Sequence, residues 1–320
     1  MKLLSTLFIT ISTAAAAFAQ TPDKALAKVR YSFTHMRDTT QKDKPYTENM
    51  LLVTGKNASV YTSYDKLNRD LEIQKQIQEQ IKNQAGSGQM SLKIERTSSK
   101  LTSDVDYFYF AQENKFYTKE RLFNNYVIEE NAPKIPWKIS KDTASFSGIK
   151  CQKATAHFKG RNWVAWFAQD LPFQSGPWKL NGLPGLIVEA HDEKKEVQFQ
   201  FAGMDNVSEE EAKAAEKSEP KINAPGSPSV VKIIGMDGGS PYLGTEIKLP
   251  TDAVKTTRKD LDKLKEARDK DPQGFMNAQM AANGAQIGIS QRSTMRTTSP
   301  SGAPRPVIVI NNPIELPEIK

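Results

Sequence analysis

Short runs that alternate apolar and polar residues, cut by turn signals, recur along most of the chain and predict a mainly β protein. Two or three polar stretches with helical spacing interrupt them. Only 38% of the 320 residues are apolar, and the mean hydropathy is −0.57. Part of the length must therefore be loop, around a core that so long a chain can still bury. The expected architecture is a curved antiparallel sheet or half-open barrel, with one apolar face covered and two or three helical insertions.

The first element reads as a signal peptide. Met1-Lys2 supplies a positive start, Leu3 to Ala17 is apolar apart from Ser and Thr, and Ala17-Phe18-Ala19 is an A-x-A cleavage site before Gln20. The apolar run is short for a bilayer span, and no other stretch could cross a membrane. No Cys stands at the cut to carry a lipid. Residues 20–320 are expected to form one exported, soluble β-rich domain, with insertions near 66–90, 208–229 and 251–305.

Val29 to Asp38 alternates and is the first expected strand. Met50 to Thr54 and Ser59 to Tyr64 follow, joined by the hairpin signal Gly55-Lys56-Asn57. Leu67 to Gln84 is Gln-rich, with Leu67, Leu71, Ile77 and Ile81 near helical spacing, and it runs into Gly86-Ser87-Gly88. Tyr107 to Phe110, Lys115 to Thr118 and Asn125 to Glu129 read as a meander that opens with dense aromatics. Ile149 to Phe158 is another strand. Arg161 to Ala168 is apolar on both faces, so a central strand with Trp163 and Trp166 both buried is expected.

In Gly182-Leu183-Pro184-Gly185-Leu186-Ile187 the fixed φ of Pro184 and the freedom of Gly185 fit positions i+1 and i+2 of a type II turn. Leu186 to His191 and Glu196 to Ala202 are strands around Asp192-Glu193-Lys194-Lys195. Ser208 to Ser229 starts as a short helix and ends as a loop, and Val230 to Ile234 is a strand. Thr251 and Asp252 are the expected start of a helix that runs to Lys270 and stops at Asp271-Pro272. Phe275 to Ser301 reads as polar, rich in Gly, Met and Thr, and mobile, and Val307 to Ile310 as a closing strand.

The chemistry-bearing residues are sparse. The net charge is +7. Basic residues are interleaved with acids, as in Arg258-Lys259-Asp260-Leu261-Asp262-Lys263, which is a solvated helix face and not a nucleic-acid footprint. Cys151 is the only cysteine, so no internal disulfide can form, and it is expected as a buried free thiol. His35, His157 and His191 show no metal-ligand spacing. Nucleophile-elbow, P-loop and dinucleotide motifs are missing, and Gly86-Ser87-Gly88 and Gly235 to Gly239 lack the strand-to-helix setting of a phosphate loop. Catalytic, cofactor-binding and metal residues are accordingly assigned as none. His191 and Glu189 share a strand face and could meet.

The hexapeptide resembles the signature of the GLPGLI family of secreted bacterial proteins. Around it, Tyr31-Ser32-Phe33-Thr34-His35, Glu48 to Leu52, Ala58 to Tyr61, Cys151 to Ala154, Gly160 to Phe167, Leu171-Pro172-Phe173, Gly176-Pro177-Trp178-Lys179 and Asn312 to Leu316 are similar to family segments, in the family's order. The Gln-rich helix, the Glu209 to Ser229 stretch and the Phe275 to Pro304 stretch look like insertions. The resemblance implies a Bacteroidota protein, often encoded beside TonB-dependent outer-membrane receptors. It also implies kinship with the bowl-like domain that precedes the catalytic part of some bacterial peptide:N-glycosidases. The family carries no established activity, and no catalytic residue transfers. Asp38-Thr39-Thr40 and Asp142-Thr143-Ala144 resemble the O-glycosylation sequon of that phylum, and also read as Asx or ST turns.

The leading functional expectation is a non-catalytic binding or accessory module of the periplasm or outer membrane, its partner an apolar ligand, a TonB-dependent receptor or another envelope protein. A hydrolase built from scattered carboxylates, or from His191 with Glu189, is one alternative. A structural envelope protein is the other.

Overall fold

The computed structural model describes residues 22–84, 93–95, 100–208, 246–251, 253–282, 296–298 and 309–318. The expected signal peptide, Gly86-Ser87-Gly88, the Glu209 to Ser229 stretch, Val230 to Ile234 and Gly235 to Gly239 lie outside them. The chain begins with β1 (Asp23–Lys24), β2 (Ala27–His35), β3 (Tyr46–Thr54), β4 (Ala58–Ser63) and the helix α1 (Tyr64–Gln84). Next come β5 (Lys93–Glu95), β6 (Val105–Phe110), β7 (Lys115–Arg121), β8 (Asn125–Asn131), β9 (Lys138–Phe146), β10 (Ile149–Phe158) and β11 (Arg161–Ala168). They are followed by β12 (Leu186–Asp192), β13 (Val197–Asn206), β14 (Glu246–Ile247) and β15 (Val254–Thr256). Helices α2 (Arg258–Lys270) and α3 (Pro272–Ala282) and strand β16 (Arg296–Thr298) complete the described elements.

Twelve strands form one open sheet in the order β15-β8-β7-β6-β4-β3-β2-β13-β12-β11-β10-β9. It does not close into a barrel: β15 and β9 end the order. Neighbours are antiparallel throughout, except for the parallel pair β15 and β8. The centre is buried on both faces. In β3, Met50 and Leu52 join one core cluster with Trp163, Phe167, Leu183 and Phe199, while Leu51 and Val53 join a second with Phe108, Phe110 and Leu67 of α1. A third, smaller cluster packs Leu261 of α2 on Tyr126 and Ile128 of β8. Among the described residues no helix is long and apolar enough to cross a membrane.

Several expectations need correction. Helix α2 does not start at Thr251. Val254–Thr256 pairs with β8 instead, and Thr257 caps the helix by accepting the Asp260 N–H. Thr257 with Asp260 makes a local cap that competes successfully with Thr251, and the β-branched Val254 and Thr256 suit the sheet edge. Asp271-Pro272 ends α2 and also starts α3: Asp271 Oδ1 accepts from Gly274 N (2.9 Å), and Pro272 takes the first helical position, where its missing N–H costs nothing. Phe275 to Ala282 is therefore helical. Val309 and Ile310 are not strand, and Val307 and Ile308 lie outside the described residues. β9 has no counterpart among the expected elements. It is a polar edge strand, and its Lys138 and Lys141 are the kind of residues that blunt an edge.

The hexapeptide does not form a type II turn. Gly185 N donates to Leu183 O (2.9 Å), a three-residue turn over Pro184, while Leu186 N donates to Leu171 O (3.0 Å). Pairing with the incoming 171–175 segment takes the N–H that a type II turn needs. Gly185 has φ +151°, and a Cβ there would lie 2.1 Å from the Ala168 carbonyl oxygen. Backbone packs directly on backbone at this point.

Candidate functional site

Two cross-strand rows run side by side over the sheet. One is Thr54–Ser59–Tyr109–Phe116–Glu130 and the other is Leu52–Tyr61–Tyr107–Thr118–Ile128. Directly opposed residues project to the same face, so the rows lay a strip of aromatic side chains on one surface. Ring centroids are 6.5 Å apart for Tyr61 and Tyr107, and 6.0 Å for Tyr107 and Phe116. The segment from Ser175 to Asn181 is the facing wall. Ser175 Oγ bonds Thr54 Oγ1 (2.9 Å), and Trp137 Nε1 donates to Asn181 O (2.8 Å). Within that wall Pro177 to Leu180 is a tight turn, closed by Leu180 N donating to Pro177 O (3.1 Å). Trp178 sits in it with φ +56° and packs its indole on Trp163 (5.6 Å) and Phe158 (5.8 Å). Floor and wall enclose a small cleft of about 10 Å3.

The cleft is apolar with polar tips. Burial pushes the Tyr61 and Tyr107 hydroxyls well above the ordinary phenol range, and Glu315 and Glu120 add to this at Tyr107. Both tyrosines are therefore neutral hydrogen-bonding groups at physiological pH, not bases. The acids that act on Tyr107 are held ionised. Burial would raise Glu120, but Lys265 (2.5 Å) and Arg258 outweigh it, and Lys179 (2.8 Å) with Lys159 (3.1 Å) does the same for Glu315.

A second polar cluster lies at the other end of the core. Arg161 is buried and uses every N–H of its guanidinium. Nε donates to Ile314 O (2.9 Å), Nη1 to Asp192 (2.8 Å) and Glu196 (3.2 Å), and Nη2 to Asn312 Oδ1 and Pro313 O (both 2.7 Å). Asn312 donates to Met36 O (2.8 Å), and its carbonyl accepts from His35 Nε2 (2.8 Å). This cluster ties residues 309–318 across the sheet as a strap. It is saturated, so its chemistry is structural.

His35 has a consequence for pH. Burial, only partly offset by the bond to Asn312, lowers its pKa from 6.5 to about 4. Between those values the unfolded chain binds the proton and the folded chain does not, so stability falls as the pH drops through that window and is fully present above it. The expected loss by pH 4 is on the order of 2–3 kcal/mol. Urea denaturation at pH 7 and pH 4 measures it, and His35→Gln should flatten that part of the profile.

Of the residues singled out in the sequence, Trp163 is 1% exposed in an interior strand. Trp166 is only half-buried, against Phe146, with Lys153 over its ring (6.0 Å). That strand is thus covered more fully on one face than on the other. Cys151 is buried, its Sγ facing Ile149 O (3.6 Å), and burial lifts its pKa to about 11. Labelling by a thiol reagent at neutral pH should be slow in buffer and fast in denaturant. Fast native labelling would show a reactive thiol. Glu189 and His191 do not pair. Glu189 accepts from Phe201 N (3.3 Å), and His191 Nδ1 bonds Asp192 O (2.8 Å). Among the described residues no cluster of His, Cys, Asp and Glu could hold a metal ion. The Tyr61–Tyr107–Thr118 row was not legible in sequence. The aromatic density of Tyr107 to Phe110 hinted at it, but the register that aligns Tyr61 was invisible.

A family model described as "Protein of unknown function (Porph_ging)" matches residues 157–189. Those residues carry Arg161, β11, the whole cleft wall and the hexapeptide. Two crystal forms of PNGF-II are similar in structure, each at 12% identity and TM-score 0.39 over 57% of this chain. The chain spans under a third of the length of those structures, 29% and 28%. No curated protein matches it.

Proposed function

We propose that this chain is an exported binding or accessory module of the GLPGLI type, acting in the periplasm or at the outer membrane, and that the tyrosine cleft is its recognition site. The observation that carries this reading is the make-up of the cleft. An aromatic floor and a tryptophan wall meet around the buried Tyr61 hydroxyl, which has no hydrogen-bond partner in the protein. Ligand sites are mostly apolar with a few convergent polar groups, and at about 10 Å3 this cleft has room for only the tip of a ligand. Glu189 Oε1 accepts from Phe201 N and His191 Nδ1 bonds Asp192 O, with no hydrogen bond between these two side chains on which a hydrolase would draw. A TonB-dependent receptor or another envelope protein is the partner that the family resemblance favours.

The test is a thermal-shift screen of the mature protein against lipid, glycan and peptide fractions of the envelope that contains it. Wild type is expected to be stabilised by at least one fraction, and Trp178→Phe to lose that shift. Equal shifts in both proteins would move the site elsewhere, and no shift with any fraction would overturn the reading.

A further inference from the structure

We propose that α2 is a hinged cover over one end of the cleft floor, latched on Glu120 and turning about Thr257. The inference does not depend on the cleft being the recognition site. The floor row continues from Tyr107 through Thr118 to Ile128, and in the next row Glu120 stands opposite Tyr126. These residues share one face of the sheet. Helix α2 lies on it there, with Leu261 packed on Tyr126 and Ile128 and with Leu264 and Leu122 at the margin.

The apolar hold is thin. Leu261 is 0% exposed, and it is the one buried side chain of α2. The rest of the hold is ionic and converges on one carboxylate. The Glu120 side chain is 9% exposed and meets Lys265 Nζ at 2.5 Å and the Arg258 guanidinium. Arg258, Leu261 and Lys265 stand at i, i+3 and i+7, so one helix face presents cation, leucine and cation in line. The strand before the helix is held in another way. β15 pairs with the backbone of β8, and Lys255 bonds Glu129 (2.6 Å), whose place in β8 puts it on the opposite face from Tyr126 and Ile128. The two holds meet at Thr257, the cap of α2, which makes it the hinge. α3 adds a bond from Asn124 Nδ2 to Gln279 Oε1 at 3.4 Å, long for a hydrogen bond. A helix as short as α2 does not persist alone in water, so lifting it is a local unfolding that leaves the sheet in place. It would bare Tyr126 and Ile128 and lengthen the exposed floor beyond Tyr107.

The test is native-state hydrogen exchange, resolved by residue. In wild type, amides of 261–270 should open roughly tenfold more often than those of β6 and β7. Glu120→Gln should raise the α2 rates by roughly another tenfold and leave β10 to β12 unchanged. Lys265→Met removes one arm of the latch without touching the sheet. It should act in the same direction, and it carries the test if Glu120→Gln does not fold. Lys263→Met is the control: its partner, Asp260 (3.2 Å), belongs to α2 itself, so it should change nothing. Joint opening of α2 and β7 in wild type would overturn the hinge. Rates in α2 that neither Glu120→Gln nor Lys265→Met raises would overturn the latch. No ligand enters the measurement, so its outcome is independent of the envelope screen.

Discussion

Gly185→Ala is expected to destabilise the protein by about 3–5 kcal/mol, combining backbone strain with overpacking. Two independent costs meet at this residue. Its φ of +151° belongs to a region that only glycine occupies comfortably, and the added methyl would sit 2.1 Å from Ala168 O and 2.7 Å from Ala168 C. The obstacle is backbone, so no rotamer change relieves it. The melting temperature should drop by roughly 10 °C in a chain of this size. Gly182→Ala is the control. Gly182 also has a positive φ, +87°, but no atom within 4 Å of its would-be Cβ, so its cost should be near 1 kcal/mol. Equal losses for the two variants would show that close approach at Ala168 is not what fixes Gly185.

Arg161→Met should cost about 3–5 kcal/mol, because it strands a buried carboxylate rather than removing a surface charge. The Arg161 and Asp192 side chains are 2% and 3% exposed. Asp192 would keep its bond from Val197 N (2.8 Å) but lose its countercharge. The strap should loosen with it, so limited proteolysis should release residues 309–318 from the variant far sooner than from wild type. Asp192→Asn added to Arg161→Met should recover part of the loss. Lys159→Met, which removes only the exposed bridge to Glu315, should change stability by less than about 1 kcal/mol. If Arg161→Met were as mild as Lys159→Met, the strap would be held by its apolar contacts alone.

Local pattern was enough to read most of the strands, because alternation and turn residues are written within a few positions. β2, β3, β6 to β8 and β10 to β13 are all visible in that way. β9 was missed because a polar edge strand has no apolar alternation to show. The start of α2 was misplaced because Thr251 and Thr257 are equally good caps until β15 claims Val254–Thr256. The turn type at Gly185 failed for a related reason: the partner of Leu186 N, Leu171 O, is fifteen residues away in sequence. The candidate site was the least legible. Trp178 could be picked out, but its neighbours Tyr61 and Tyr107 come from strands whose register no short window contains.

The strap also has a meaning in time. Three of the groups that satisfy Arg161 belong to residues 312–314, while Arg161 itself opens a strand near the middle of the chain. As the chain emerges from its N-terminal side, β10 to β12 appear with an arginine that lacks its complete set of acceptors. Burying it then would leave donors unpaired in a dry core. The half of the sheet around Trp163 is therefore expected to stay loosely packed until residues 312–314 are in place. Released chains truncated before Asn312 should be protease-sensitive across β10 to β12, and chains that include Glu318 should not.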